Sequence, residues 1–296
     1  PFEALLDEND IPIPRRRTHA CVAPQPVCAT RASVHPRSGW GTMNIRPREK
    51  LRMPLQKSLP PDDRRGGFSG IETWVFDLDN TLYPHHLNLW QQVDVRIRDY
   101  IVKFLDVTHD EAFRLQKDYY RRYGTTLRGL MVEHGMKPDD FLDFVHQIDH
   151  TPIEPNPALG SALKELAGRK LILTNGTRPH AEAVMRRLEV HEHFEDVFDI
   201  VAGELEPKPM PQTYERFLAR HRVDPHRAAI FEDLARNLEV PHALGMTTVL
   251  VVPERTREVF REDWELEGRD APYIDHVTDD LVGFLRSLSM PTASTV

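Results

Sequence analysis

Thr73-Trp74-Val75-Phe76-Asp77-Leu78-Asp79-Asn80-Thr81-Leu82-Tyr83-Pro84 is the stretch on which the fold of this chain turns. Its first four residues form a short apolar run, the pattern of a strand buried on both faces. Side chains at i and i+2 of a strand project to the same face. Asp77 and Asp79 therefore leave the carboxyl end of the strand together. In an open α/β sheet that end is where ligands bind. A carboxylate pair there has two chemical readings: ligands for a cation, or a nucleophile beside an acid–base group. A structural reading stands next to them, a solvated turn in which Asn80 and Thr81 cap the next helix.

Outward from this stretch, further short apolar runs occur at residues 170–174, 197–201, 228–231 and 247–252, with a weaker one at 273–277. Amphipathic helical patterns lie between and after them, at 158–167, 179–188, 211–221, 234–244 and 279–288. Strands alternating with helices predict a Rossmann-like α/β fold with a parallel sheet covered on both faces. The alternation breaks once. Residues 85–149 carry no strand signal and read as helices at 87–105, 109–123, 127–133 and 138–148. A βα connection is usually a few residues long, so this stretch is an inserted helical subdomain. The expected organisation is a core over 71–84 and 150–290, the insertion over 85–149, and tails over 1–70 and 291–296.

Three more signals fall at strand ends. Thr174-Asn175-Gly176-Thr177 follows a strand and precedes a helix; a hydroxyl, an amide and free backbone N–H groups at a helix N-terminus suit phosphate, though they also suit an ordinary cap. Lys208 sits in Glu206-Pro207-Lys208-Pro209, where flanking prolines restrict the backbone and a compact ammonium can meet phosphate or carboxylate charge. Glu232-Asp233 follows the 228–231 run, with Asn237 beyond it; a second acidic pair suits a hard cation with oxygen ligands, or a helix cap.

In order and strand context, Asp77-Leu78-Asp79-Asn80-Thr81-Leu82-Tyr83, Thr174-Asn175, Lys208-Pro209 and Glu232-Asp233 resemble the four motifs of the haloacid-dehalogenase-like (HAD) hydrolases, over roughly residues 71–290. The helical insertion resembles the cap of the subfamily that carries its cap between the first two motifs. Pro84, the Glu232-Asp233-x-x-x-Asn237 spacing and Gly245-Met246-Thr247-Thr248-Val249 look most like the pyrimidine 5′-nucleotidase group. Glu232 departs from the aspartate found in many of those relatives. The resemblance implies a Mg²⁺-dependent phosphatase. Asp77 would be the nucleophile, Asp79 the acid–base group and Lys208 the charge partner. Thr174 with the amides of Asn175 and Gly176 would bind phosphate. Asp77, the Asp79 carbonyl and Asp233 would hold Mg²⁺, with Glu232 acting directly or through water. Tyr119, Tyr120 and Tyr123 in the insertion are candidates for contact with the substrate, or else core aromatics. Pyrimidine nucleotides are the expected substrates. Sugar phosphates, phosphoglycolate, a dehalogenase on the same fold, and a non-catalytic binding protein are the alternatives.

Composition sets outer limits. The net charge of −8 provides no field that would draw the chain to a nucleic-acid polymer or an anionic membrane. No apolar run approaches the roughly 20 residues of a membrane span, and no secretory apolar region opens the chain. The two cysteines, Cys21 and Cys28, both lie in the proline- and arginine-rich leading stretch, so no disulfide framework holds the core. A cytoplasmic location is expected. That leading stretch, with Arg15-Arg16-Arg17 and Pro-x-Pro elements, predicts disorder over residues 1–70. Its alternative reading is a basic docking arm. His191-x-His193 has metal-like spacing without companion ligands and reads as a surface loop. Met43 and Met53 lie close to the folded part, and translation is expected to begin at one of them. Mass spectrometry of the native N-terminus checks this; peptides from residues 1–40 would refute it.

Overall fold

The structure, a computed structural model, describes residues 67–253, 268 and 270–289. The disordered tail expected over 1–70 and the tail over 291–296 fall mostly or wholly outside the described residues.

Six strands form one sheet: β1 (Thr73–Phe76), β2 (Arg169–Leu173), β3 (Asp196–Phe198), β4 (Ala228–Glu232), β5 (Thr247–Val251) and β6 (His276–Thr278). Their order is β3-β2-β1-β4-β5-β6, and every neighbouring pair is parallel. β1 pairs Thr73 with Arg169 on one side and with Ala228 on the other. The chain leaves β1 toward β2 and later returns to the other side at β4. The carboxyl ends of β1 and β4 therefore flank the point where the winding reverses, which is the place such sheets offer a ligand.

Both faces of the sheet are covered, and the strand alternation says by what. Trp74, Phe76, Ile172 and Phe231 pack with Leu159 and Leu163 of α5 (Pro157–Glu165), with Val184 and Met185 of α6 (Arg178–Leu188), and with Leu285 of α9 (Leu281–Ser289). Phe76 and Phe231 stack across β1 and β4 with ring centroids 4.7 Å apart. Val75, Leu171, Leu173 and Ile230 face the other way, onto Tyr214 and Phe217 of α7 (Pro211–His221). Between β1 and β2 run α1 (Leu89–Leu105), α2 (His109–Tyr123), α3 (Thr126–His134) and α4 (Pro138–Val145). These four helices bury an apolar cluster of their own, including Val93, Ile101, Leu130 and Phe141, which Ile200 of the sheet's carboxyl end joins.

Three elements differ from the sequence-based reading. The run at 197–201 stops as a strand at Phe198, because the Asp199 carboxylate turns the chain by accepting from the Arg178 and Ala202 N–H groups. The helix expected over 234–244 is split into a 3₁₀ turn at Ala235–Asn237 and α8 (Glu239–Leu244). Pro241 lacks an N–H and cannot continue a helix begun at Leu234, but it is tolerated in the first turn of α8. The last strand lies three residues later than expected at its start, at His276.

β2 enters the sheet through a close approach. Gly168 has φ +102°, and a Cβ there would lie 2.5 Å from the Glu72 carbonyl, the group that accepts from Arg169 N–H. Gly168→Ala is expected to lower stability by about 1–3 kcal/mol through backbone strain. Urea denaturation checks this: the midpoint should fall with an unchanged slope.

Candidate active site

A buried lysine joins three strands at the centre of the site. Lys208, 2% exposed, comes from the loop between β3 and α7. Its Nζ donates to Asp77 Oδ1 and to Glu232 Oε2, each at 2.6 Å, and to the Leu173 carbonyl at 2.9 Å. Burial disfavours the ammonium, but Asp77 and Glu232 outweigh it and hold Lys208 charged well above its usual range. The carboxylates fare differently. Burial pushes Asp77 up to about 6 despite Lys208, and burial together with Asp77 pushes Glu232 up to about 8. One ammonium does not neutralise three buried carboxylates, since Asp233 lies in the same cluster.

Asp79 lives in another environment. Tyr83 Oη donates to its Oδ1 at 2.6 Å, and His180 Nε2 lies 2.8 Å from the same oxygen. Burial opposes ionisation here too. The charge and hydrogen bond of His180 win, and Asp79 is held down to about 2. The reciprocal attraction raises His180 above its ordinary value although burial works against it. His180 Nδ1 in turn is 3.0 Å from His150 Nε2. His146 sits with its ring 5.0 Å from that of His180, and burial, then the His180 charge, lowers it to about 4. The two aspartates of one strand end are thus driven apart, the arrangement in which paired carboxylates take separate roles.

The remaining predicted residues converge on the same cavity. Asp77, Asp79, Thr174, Asn175, Gly176, Lys208, Glu232 and Asp233 all line it. The Asn175 side chain does not face a ligand: its Oδ1 accepts from Lys208 N–H at 2.8 Å and its Nδ2 donates to the Lys208 carbonyl at 3.2 Å. It fastens the lysine loop to β2 as a strand partner would. Gly176 N–H donates to Thr174 Oγ1, folding the loop over the strand end.

Sequence reasoning missed several partners. Thr81 Oγ1 donates to Asp77 Oδ2 at 3.3 Å and Tyr83 to Asp79, so each aspartate is served by the hydroxyl four residues on. That shared spacing was a usable local signal. His85 Nε2 lies 3.4 Å from Asp233 Oδ2. His180 carried no comparable signal, because its partner is 101 positions away. Asn80, between the two aspartates and the two hydroxyl residues of the first motif, has φ 61°, a left-handed turn that asparagine tolerates well.

Residues 71–245 match the family described as haloacid dehalogenase-like hydrolase, well over half of the chain. The chain belongs to the haloacid dehalogenase-like hydrolases. Phosphate metabolism protein 8 of Saccharomyces cerevisiae is 24% identical over 235 residues, which cover 73% of this chain and 70% of that protein. Among solved structures, an HAD phosphatase from Thermococcus onnurineus is similar with TM-score 0.48 and 17% identity, covering 74% of this chain and 97% of that one. L-2-haloacid dehalogenase from Xanthobacter autotrophicus is similar with TM-score 0.46 and 17% identity, covering 73% and 97%. No helix among the described residues of this hydrolase is long and apolar enough to cross a membrane.

The insertion tyrosines separate. Tyr120 lines the cavity, with the Arg236 guanidinium 4.8 Å from its ring centroid. Tyr119 is buried in the helical insertion with its hydroxyl 2.6 Å from His134 Nε2, and Tyr123 bonds Arg122 and Glu133 on the outer side. Neither of these two lines the cavity. Their helical spacing served packing within the insertion instead.

Asp77, Glu232 and Asp233 bring carboxylate oxygens within 4.8 Å of one another, the one such group of potential metal ligands among the described residues. His191-x-His193 forms a 3₁₀ turn and contributes to no such group. Three carboxylates against one ammonium leave two buried negative charges when all are ionised, which fits a divalent cation with oxygen ligands. Asp77 and Asp233 have the capacity to hold it. Glu232 is already engaged at both oxygens, by Lys208 and by Leu234 N–H.

Magnesium is expected to raise the melting temperature by several degrees, corresponding to about 2.7 kcal/mol at a hundredfold excess over Kd, and Asp233→Asn is expected to abolish the shift. A pH dependence follows. Above its ordinary 4.5 the folded protein holds a proton on Glu232 that the unfolded chain has lost, so stability falls as pH rises toward about 8. His180, raised above 6.5, contributes in the same direction, its stabilisation being lost as pH rises. In chelator, stability should therefore decline between pH 6.5 and 8; with Mg²⁺ the decline should flatten. Thermal scans at the two pH values measure both.

Proposed function

We propose that this hydrolase is a Mg²⁺-dependent phosphomonoesterase that works through an aspartyl-phosphate on Asp77. The observation that carries the reading is the division of labour between two carboxylates of one strand end: Asp77 against Lys208, and Asp79 against Tyr83 and His180.

The chemistry is written in two displacements. In the first, an Asp77 carboxylate oxygen attacks phosphorus and the bond to the leaving oxygen breaks. The leaving oxygen takes a proton from the Asp79–His180 pair, whose hydrogen bond keeps a proton beside the ester oxygen. In the second, Asp79 accepts a proton from water as that water attacks phosphorus, releasing phosphate and restoring Asp77. Thr174, with the backbone N–H groups of Asn175 and Gly176, would receive the phosphoryl oxygens ahead of α6, the Gly176 N–H exchanging its bond to Thr174 Oγ1 for one to phosphate, and Lys208 offsets the charge on the nucleophile. Asp77, the Asp79 carbonyl and Asp233 would hold magnesium, with Glu232 behind them, and the ion would supply further charge neutralisation for the phosphoryl group.

A dehalogenase releases halide as an anion and needs no proton donor for it. The hydrogen-bonded set around Asp79 would then have no task, which favours the ester. A non-catalytic binding protein is disfavoured because every charged position of the four motifs is present. Pyrimidine 5′-nucleotides are the substrates we assign first, on the resemblance of residues 77–84 and 232–237; sugar phosphates and phosphoglycolate come next.

Phosphate release from a panel of nucleotide, sugar and small-acid esters tests the reading. Turnover should need Mg²⁺, vanish in EDTA, and fall by at least about 10³-fold in Asp77→Asn. Absence of release from every ester by folded protein would overturn it. His180→Asn gives a sharper reading of the proton step. Its kcat should drop about 10²-fold on alkyl esters such as UMP and much less on p-nitrophenyl phosphate, whose leaving group needs little protonation. Equal losses on both would assign His180 to packing alone.

A further inference from the structure

His180 of α6 is 2% exposed, and packing sets where its ring lies. A Cβ added at Gly176 would stand 3.2 Å from its Cδ2, and the His146 ring is 5.0 Å from its own. Packing does not set which way the ring faces. A half-turn about the bond to the ring leaves the outline of an imidazole nearly unchanged and exchanges its nitrogens for carbons, so hydrogen bonds choose between the two placements. Nε2 meets Asp79 Oδ1 at 2.8 Å, and an ionised carboxylate only accepts, so Nε2 carries a hydrogen. Nδ1 is the other nitrogen, and its partner is His150 Nε2 at 3.0 Å. With His180 neutral, the His150 N–H donates to Nδ1. With His180 charged, Nδ1–H donates to a bare His150 Nε2. Either way the bond holds the ring in one placement.

The segment that carries His150 is fastened on both sides. It lies between α4 and α5, where the chain returns from the insertion to the core. Toward the insertion, the Gln92 side chain of α1 donates to the Asp149 carbonyl at 3.0 Å and accepts from the Asp149 N–H at 2.9 Å. Toward the core, Arg187, further along α6 from His180, donates to the Thr151 carbonyl at 2.9 Å and to the Ile153 carbonyl at 3.1 Å. The Ile153 N–H donates to the His150 carbonyl at 3.1 Å and closes the turn between them. The half-buried His150 is thereby held against the helix that bears His180.

Resting on the phosphatase reading, we propose that His150 is a positioning residue for its proton step: the hydrogen bond to His180 Nδ1 holds the imidazole with Nε2–H on Asp79 Oδ1. Without that bond nothing distinguishes the two placements on the Nδ1 side, and the turned ring sets a C–H against the carboxylate. The Asp79–His180 pair then loses the hydrogen it keeps beside the leaving oxygen. The balance of the step is unchanged. The leaving oxygen takes a proton from the pair as its bond to phosphorus breaks, the pair regains one from the attacking water, and His150 gives and takes none. Protonation of the leaving group depends on His150, and binding of the ester does not.

The test uses the full chain with Mg²⁺ and two esters: an alkyl ester that the enzyme turns over, UMP first, and p-nitrophenyl phosphate. His150→Phe keeps a ring and removes the hydrogen bond, while His150→Gln keeps a polar group close to where Nε2 stood. His150→Phe is expected to lower kcat on the alkyl ester about tenfold, and to leave its KM and the rate on p-nitrophenyl phosphate within about twofold of wild type. His150→Gln is expected to keep most of the wild-type rate. Added to His180→Asn, His150→Phe should cost nothing further, because the two act through one group. Should His150→Phe fail to fold, His150→Ala makes the same comparisons. Equal losses on both esters, a change in KM rather than kcat, His150→Gln no better than His150→Phe, or losses that multiply in the double variant would each overturn the inference and leave the phosphatase reading standing. No release from any ester by wild type removes that reading, and this inference with it.

Discussion

An ammonium with almost no access to water holds this molecule's working end together. Lys208 reaches Asp77 after β1, the last carbonyl of β2 and Glu232 at the end of β4, so a single charge ties three parallel strands where the sheet has no side-chain core of its own. Burying such a charge costs several kcal/mol unless it is fully paired, and removing one partner of a buried pair is more damaging than never having built it. The surrounding structure exists to keep the pairing intact. Asn175 clamps the lysine's backbone from β2, and Arg128 of α3 pairs with Glu206 at 2.8 Å on the approach to the loop. The stack of Phe76 on Phe231 holds β1 and β4 in register one residue before the carboxylates begin.

The same constraint explains why the two aspartates differ. Both are buried, and burial alone would raise both. Asp77 shares its lysine with Glu232 and sits near Asp233, so the cluster has an excess of negative charge. Asp79 has His180 and Tyr83 largely to itself. Only Leu78 separates them just past β1, yet their partners come from different directions: Lys208 from the β3 side, His180 from the helix after β2. The parallel sheet, with all its carboxyl ends on one edge, makes that division geometrically available.

How much of this was legible beforehand follows the range of the interactions. β1, the position of α7 and the order of strands and helices were readable, because apolar runs of four to five residues and helical periodicity are local properties. Asp77, Asp79 and Glu232-Asp233 were readable because each sits at the end of such a run, and Lys208 because prolines flank it in the loop that follows one. His180 and His150 were not. Their significance depends on partners brought together by the sheet winding, and nothing within a window of ten residues marks them. The tyrosines of α2 show the converse error. Tyr119, Tyr120 and Tyr123 look alike in sequence, and only the rotation of the helix assigns Tyr120 to the cavity and Tyr119 to the insertion's own core.

The sheet and the insertion therefore solve different problems with different chemistry. The sheet edge concentrates charge that is mutually satisfied only when every partner is in place. The insertion lines the cavity with apolar side chains interleaved with polar ones, and its Asp94 pairs with both Lys117 and Arg98. The two parts of the cavity are thereby built separately: the Lys208 network belongs to the sheet's carboxyl edge, and the wall beyond it belongs to the insertion, whose apolar cluster is its own.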